Sequence, residues 1–598
     1  MTTPLQILSD SFGHKVFRPG QEEIVEHILA GRNVLAVMPT GAGKSICYQV
    51  PSQLLDRPTI VISPLVALMD NQAAGLRANG VSVAAIHSGQ SREENVEEWK
   101  RIAQGQAKLL YLSPERLMQP RMLSAMRALD PALFVVDEAH CVSKWGPAFR
   151  PEYADLSRLK EMFPKARIAA FTATADESTR KDIAEQLFAG NGEVIVHGFD
   201  RPNISLTVSS MTNRTQQLLA WMETQRGHSG IVYCLSRKNT EKYAQILKEQ
   251  GFNALPYHAG LSSEMRFENQ ERFLAEPAVV IVATIAFGMG IDKSNVRFVY
   301  HLNLPSSLEA YYQEIGRAGR DGAPSETAMI YALDDIRMRR QFISDDGSDQ
   351  DHQIREHRRL DALLGYCEAA KCRRQVLMAY FGELSDPCGN CDVCKNPPDL
   401  IDATDAAKAL FSAIEQTGQR FGATHVIAVA RGDETDRIMQ YGHDKLPAFG
   451  SAQHAKPWFQ GLLRQAVALR YLNVNMEAYG RLEIRPKARA VLENGEAFHC
   501  KDPTVKRQGK KRTRGSSMKP SQQQLDGAET ELLTRLKSLR MDFAKQLGKP
   551  AFVVFSDATL IDMASRKPKT REEMLDVSGV GPSKLERFGE AFLAEISG

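Results

Sequence analysis

No stretch of this chain reaches the roughly 18 consecutive apolar residues that a membrane-crossing helix needs. Met1 to Phe12 has neither the charged start nor the long apolar centre of a secretory signal. The protein is therefore expected to stay in the cytoplasm and to have no membrane partner. Charge of one sign is also in short supply. The 75 Lys and Arg against 72 Asp and Glu leave a formal +3, too little to identify a polyanion binder from the total, so any basic footprint must be local. Cysteine is scarce and odd in number, nine in all, and five of the nine fall between Cys367 and Cys394. That clustering argues against a disulfide framework and for metal binding. What remains is the make-up of an ordinary soluble protein, 43% hydrophobic and 25% charged, and 598 residues are expected to divide into roughly four domains of about 150.

Two short segments carry the densest chemistry. Thr40-Gly41-Ala42-Gly43-Lys44-Ser45 follows the apolar run Val34 to Met38, and Asp137-Glu138-Ala139-His140 follows a second run, Leu133 to Val136. A glycine-rich turn between a buried strand and a helix lets backbone N–H groups surround phosphate oxygens. Lys44 then neutralises the β- and γ-phosphate charge, and the Ser45 hydroxyl reaches Mg²⁺. Asp137 is expected to hold that Mg²⁺ from the end of the neighbouring strand, often through water, and Glu138 to activate the attacking water. Met38 stands where the strict eight-residue loop pattern has its first glycine, so the strand-end carboxylates carry part of the assignment. Together the segments predict a motor driven by nucleotide hydrolysis.

From Asn33 to about Val196, short β-branched runs (Thr59 to Ser63, Lys108 to Leu112, Leu133 to Val136, Ile168 to Thr172) alternate with longer amphipathic segments. That rhythm predicts a parallel sheet covered by helices. A second run of the same kind begins near Gly230, with Ile231 to Cys234, Ala278 to Val282 and Phe298 to Tyr300 as strands, but it has no phosphate loop. Two such lobes, only one of which can cradle phosphate, imply a nucleotide held at their interface. The second lobe offers Gln313-Glu314-Ile315-Gly316-Arg317-Ala318-Gly319-Arg320, whose two arginines, three apart, are expected on one helical face among small residues. Either guanidinium can serve as an arginine finger, an effect of about 10³ to 10⁵ in rate.

In this order the segments resemble superfamily 2 helicases and, within them, the RecQ family, over nearly the whole chain. Phe17-Arg18-Pro19-Gly20-Gln21 is similar to the family's adenine-reading motif, in which the Gln21 amide donates to and accepts from the base edge. Thr40 to Ser45, Ser63-Pro64-Leu65, Asp137 to His140 and Phe171-Thr172-Ala173-Thr174 resemble motifs I, Ia, II and III. Tyr257 to Leu261, Ala283 to Lys293 and Gln313 to Arg320 resemble motifs IV to VI. The resemblance implies a catalytic set of Lys44, Asp137, Glu138, His140, Arg317 and Arg320. Phe17, Arg18, Gln21, Thr40, Gly41, Gly43, Gly288, Asp292 and Gln313 are implied to join Lys44, Ser45 and Asp137 around ATP.

After Asp137 to His140 comes Cys141 to Tyr153, the stretch most specific to the family. Trp145, Phe149 and Arg150 lie there in a glycine- and proline-punctuated loop, where displaying two large rings is easier than burying them. Such rings stack on any base at about 1 to 3 kcal/mol each, which suits sequence-blind contact with a single strand. The resemblance implies that this loop couples DNA contact to ATP hydrolysis.

Cys388, Cys391 and Cys394 present three sulfurs at two-residue gaps, and Cys372 lies upstream in a helical pattern. Four such sulfurs close a tetrahedral zinc site. Free thiols or an iron–sulfur cluster are the alternatives, and Cys367 is a rival fourth ligand; the family pattern favours Cys372, which opens Cys372-Arg373-Arg374. Ala403 to Ala497 reads as three helices and then a hairpin, Arg470 to Val474 and Gly480 to Ile484, whose tip, Asn475 to Tyr479, is the candidate for separating strands; Phe421 to Val426 begins a segment resembling a winged helix. Lys501 to Lys519 carries eight Lys or Arg against one acid and reads as a basic linker. Beyond it, Thr530 to Leu547 and Asp557 to Ile596 read as helices resembling an HRDC domain, and Val577 to Lys584 as a tight hairpin that exposes backbone N–H groups.

The resulting expectation is an α/β chain of two tandem RecA-like parallel-sheet lobes (1–200 and 201–336), a helical zinc-binding module (337–402), a winged helix (403–500), the linker (501–522) and a small all-α HRDC-like domain (523–598). Its expected cofactors are ATP, Mg²⁺ and Zn²⁺. The resemblance implies a 3′-to-5′ DNA helicase of recombination, replication and repair, nucleoid-associated and monomeric. It acts on single-stranded and duplex or branched DNA and meets single-strand-binding protein and repair factors. An RNA unwinder or duplex translocase, and a non-catalytic structure-specific DNA binder, are the rival readings.

Overall fold

Short apolar strands, each bracketed by helices, build the first sheet of the computed structural model, which describes residues 2–64, 66–143, 151–175, 177–288, 293–346, 350–475, 481–502, 527–547 and 551–597. Strands β1 (Val34–Val37), β2 (Thr59–Ile62), β3 (Val83–Ile86), β4 (Leu109–Leu112), β5 (Leu133–Val136), β6 (Arg167–Thr172) and β7 (Glu193–Val196) lie in the order β3-β4-β2-β5-β6-β1-β7, and every pairing is parallel. The first five are buried along their whole length because helices cover both faces: Leu35 and Val37 enter one apolar cluster, Val34 and Ala36 the other. One expectation needs correcting here. The strand that ends at Asp137 is not the neighbour of β1, because β6 is inserted between β1 and β5. The carboxyl ends of β1, β6 and β5 still open on one edge, the place where ligands sit in open parallel sheets.

The second sheet contains β8 (Ile204–Ser210), β9 (Gly230–Tyr233), β10 (Asn253–Tyr257), β11 (Val279–Ala283), β12 (Phe298–His301) and β13 (Ser325–Tyr331) in the order β10-β11-β9-β12-β13-β8, again all parallel. Residues 197–203 join β7 at the edge of one sheet to β8 at the edge of the other, so this strap is the covalent crossing between lobes.

Helices Leu333–Asp345, Gln350–Glu368 and Arg373–Tyr380 follow, then the cysteine-rich loop. The next domain packs helices Thr404–Gln416, Ala423–Arg431 and Lys456–Ala468 against an antiparallel hairpin, β15 (Leu472–Asn475) and β16 (Arg481–Ile484), with Leu472 opposite Ile484. Strand β14 (Leu400–Asp402) pairs antiparallel with β17 (His499–Lys501) and ties the two ends of the domain together. Of the expected hairpin tip only Asn475 is described; Met476 to Tyr479 lie outside the described residues, as does the linker from residue 503 to 526.

The C-terminal domain has its own core of Leu536, Val554, Phe555, Leu560, Met563, Phe588 and Phe592. Its second helical stretch holds Asp557–Arg566, Arg571–Leu575 and, after a tight turn at residues 577–581, the consecutive helical segments Pro582–Lys584, Leu585–Gly589 and Glu590–Ser597. Among the described residues no helix is long and apolar enough to cross a membrane.

Candidate nucleotide cleft and cysteine cluster

Strand β1 runs into the loop Pro39 to Ser45 and the helix Ile46–Leu54. Gly41 and Gly43 adopt φ of 83° and 81°, the left-handed region that side chains resist. A Cβ on Gly43 would also lie only 2.6 Å from Nε2 of Gln21. Gln21 is buried and its amide is engaged by protein. Nε2 donates to the carbonyls of Ala42 and Gly43, both at 3.0 Å, and Oε1 accepts from the Arg18 backbone N–H at 2.9 Å. The amide predicted to read adenine thus braces the phosphate loop in this state. Arg18 lines the cleft and donates through Nη1 to Gly41 O at 2.7 Å, while Phe17 packs on the core of the first lobe.

Lys44 Nζ donates to Met38 O at 3.2 Å. Burial holds its pKa below the usual lysine value, against the opposing pull of Glu138 and Asp137. Burial, and after it the charge of Glu138, pushes the Asp137 carboxyl up to about 7. Glu138 sits at φ 51°, uncommon for a residue with a side chain, and its backbone N–H donates to Asp137 Oδ1 at 3.0 Å. Its Oε2 lies 3.3 Å from Nδ1 of His140. That imidazole nitrogen pairs with Thr172 Oγ1 at 2.9 Å, Thr172 bonds Thr174, and Gln313 Nε2 of the second lobe donates to Thr174 Oγ1 at 2.7 Å. Polar contacts therefore lead from the second lobe as far as His140, whose ring nitrogen lies beside the candidate base.

The arginines of the second lobe do not share one helical face. The helix Leu308–Ile315 ends before them, because Gly319 N–H turns away to Val296 O at 2.8 Å and Ala318 N–H bonds Ile315 O at 3.0 Å. In the resulting turn Arg317 Nη1 donates to Gly288 O. Arg320 faces the phosphate loop: its Cγ lies 3.4 Å from where a Cβ on Gly41 would stand, and its charge helps to depress the Lys44 pKa. Thr40 Oγ1 donates across the cleft to Gly316 O at 3.1 Å.

The cleft encloses about 870 Å³. Thr40 to Ser45, Asp137, Glu138, Gln313, Arg317 and Arg320 line it, so one space holds the candidate Mg²⁺ donors Ser45 Oγ and Asp137 together with the cations of both lobes. Asp292, Trp145, Phe149 and Arg150 lie outside the described residues.

Two contributors went unseen in the sequence. Arg201, on the strap, lines the cleft, and nothing in a lone arginine before a proline announces that. Ser556 and Ala558 of the C-terminal domain line it as well. That domain docks on the first lobe: Gly579 N–H donates to Gly13 O at 2.8 Å, and Lys15 pairs with Asp576 at 2.6 Å. The hairpin expected to display free N–H groups therefore commits one of them to protein.

The sulfurs of Cys372, Cys388, Cys391 and Cys394 all lie within 4.8 Å of one another. Cys372 Sγ is 3.5 Å from Cys388 Sγ and 3.9 Å from Cys391 Sγ. A tetrahedron with zinc–sulfur bonds of about 2.3 Å needs sulfurs about 3.8 Å apart. Backbone N–H groups of Cys388 and Cys394 donate to Cys372 Sγ and Cys391 Sγ, both at 3.3 Å, as they would to thiolates. These four residues would hold Zn²⁺ as a closed structural site. Cys367 is buried elsewhere and is not part of the group. Asp392, between two of the cysteines, pairs with buried Arg373 at 2.9 Å and accepts from Val208 N–H at 3.3 Å, joining the cluster to the second sheet.

Comparison with known proteins covers almost the whole chain. Family profiles match in succession: DEAD/DEAH box helicase (18–183), helicase conserved C-terminal domain (212–322), RecQ zinc-binding (333–395), RQC domain (397–508) and HRDC domain (529–596). The ATP-dependent DNA helicase RecQ of Haemophilus influenzae is 40% identical over 597 residues, spanning 99% of this chain and 96% of that protein. The proteins of the same name from Pasteurella multocida (39%, 99% and 93% coverage) and Bacillus subtilis (35%, 99% and 98%) are similar over comparable spans.

Proposed function

Since the chain belongs to the RecQ family and is an ATP-dependent DNA helicase, we propose that it moves 3′ to 5′ along one DNA strand as its two lobes close on ATP and open after hydrolysis. The polarity is taken from the family, and the observation that carries the closing and opening of the lobes is the cleft in which the phosphate loop of one lobe faces Arg317 and Arg320 of the other. Lys44 neutralises the β- and γ-phosphates. Ser45 and Asp137 would hold Mg²⁺, which would supply positive charge to the phosphates when bound. Glu138 takes the proton of the attacking water, and His140 orients Glu138 while reporting the position of Gln313. Arg320 stabilises the charge that develops on the transferred phosphoryl group. Trp145, Phe149 and Arg150 meet the single strand, and the winged helix holds the duplex against which the motor pulls. The protein works as a monomer at the nucleoid, alongside single-strand-binding protein and repair factors.

The test is ATP hydrolysis without nucleic acid and with single-stranded DNA, duplex DNA or RNA, followed by unwinding of 3′- and 5′-tailed duplexes. The expected pattern is hydrolysis stimulated most by single-stranded DNA and unwinding confined to the 3′ tail. Unwinding from the 5′ tail, or stimulation by RNA alone, would refute it.

A further inference from the structure

The strap between the lobes is short and is gripped from outside the cleft. The Phe199 N–H donates to the Glu383 carboxylate at 3.0 and 3.2 Å, and Tyr312 OH donates to Phe199 O at 2.8 Å. Arg374 reaches Asp200 at 2.6 Å and Ile204 O at 2.7 Å, and Asn390 Nδ2 donates to Pro202 O at 3.0 Å. Backbone on both sides of Arg201 is therefore fixed by the cysteine-bearing module and by the second lobe.

From that fixed base the Arg201 side chain points into the cleft and bridges the lobes. Nη1 donates to Thr40 O of the phosphate loop at 2.8 Å and to Gly316 O at 3.4 Å. Nη2 donates to Ala318 O at 3.0 Å and Gly319 O at 2.8 Å. Asn203 adds a bond from Nδ2 to Gly319 O at 2.9 Å. The three carbonyls of the second lobe belong to the turn that carries Arg317 and Arg320. A planar, permanently charged fork can hold several carbonyls at once, which an ammonium group cannot reproduce with the same geometry.

We propose that Arg201 is a positioning residue for ATP hydrolysis, fixing the arginine-bearing turn of the second lobe against the phosphate loop of the first. Both of its Nη atoms are committed to backbone carbonyls. Its effect is to hold Arg320 within reach of the charge that develops during phosphoryl transfer, where displacement by about 1 Å costs on the order of 100-fold in rate. The inference rests on the roles given to Arg320 and Lys44 above.

Full-length Arg201→Gln and Arg201→Lys are compared with wild type. Five readouts are taken: the ATPase rate on saturating single-stranded DNA, KM for ATP, affinities for a fluorescent ADP and for ADP with aluminium fluoride, a transition-state mimic, and the melting temperature. The expected result is a kcat about 10- to 100-fold lower in Arg201→Gln, partial recovery in Arg201→Lys, and KM and ADP affinity within about twofold of wild type. Affinity for the aluminium fluoride complex falls by the same factor as kcat. A kcat equal to wild type overturns the proposal. So does a parallel loss of kcat, ADP affinity and melting temperature in both variants, the mark of a purely structural side chain. Wild-type unwinding of tailed duplexes in the same series reads polarity separately, so failure of that reading leaves a distinct record.

Discussion

Asp137 shows how a half-buried, desolvated carboxylate trades fold stability for chemistry. Its pKa is raised from the usual 3.8 to about 7, so the folded chain binds this proton more tightly than the unfolded chain does between those values. Stability contributed at this position falls as pH climbs through that window, and the whole penalty stands above about pH 7. Replacing the carboxyl removes it. Asp137→Asn is expected to abolish ATP hydrolysis and to stabilise the fold at pH 8 in Mg²⁺-free buffer by on the order of a few kcal/mol. Denaturant melts at pH 8 and pH 4 check this, because the gain should vanish on acidification; equal gains at both values would point to packing instead. Lys44, Ser45, Asp137 and Glu138 were legible in the sequence because phosphate and Mg²⁺ chemistry demands adjacent residues after a buried strand. Arg201 was not, since its meaning lies in four carbonyls drawn from distant parts of the chain.

At the scale of elements, strands and helices with strong periodicity were readable, and connections were less so. Strands β2, β4 and β5 fall where apolar runs placed them, within a residue or so. Edge strands β7 and β8 are half-exposed and lack a continuous apolar run, so their signal is weak. The end of the helix at Ile315 was invisible for a different reason: the groups that break its ladder come from Val296 and the strap. The three cysteines of the loop were readable from their spacing, whereas the choice of Cys372 over Cys367 rested on the family resemblance. Cys391→Ser is expected to lose bound zinc and several kcal/mol of stability, since metal binding and folding of such a module are one equilibrium. Zinc content by elemental analysis together with thermal melting decides it, and retained zinc with unchanged melting would remove Cys391 from the site. Because Asn390 and Asp392 in the same loop hold the strap and β8, the variant should also lose ATPase activity.

For the whole molecule, the order of modules followed from the sequence, but their mutual placement did not. The C-terminal domain folds on a core of its own, which local patterning reveals; its seat beside the nucleotide cleft depends on surfaces far apart in sequence. The Lys15–Asp576 pair there is exposed and screened by solvent, so it does little to hold the domain in place. Close backbone approach at Gly13 is the tighter constraint. A Cβ on Gly13, which also sits at φ 70°, would lie 2.7 Å from Val580 N and 2.8 Å from the Gly579 carbonyl carbon. Gly13→Ala is therefore expected to push the domain off the first lobe and to speed nucleotide entry and exit severalfold, read by stopped-flow fluorescence. Unchanged rates with a detached domain, as seen by small-angle scattering, would show that it does not gate the cleft.

That seat has a pharmacological consequence. A compound lodged only against the phosphate loop meets surfaces that any hydrolase with this loop provides. One extended from Lys44 toward Ser556 and Ala558 would touch a wall contributed by a separate domain, and its discrimination among ATP-consuming enzymes would be set by that wall.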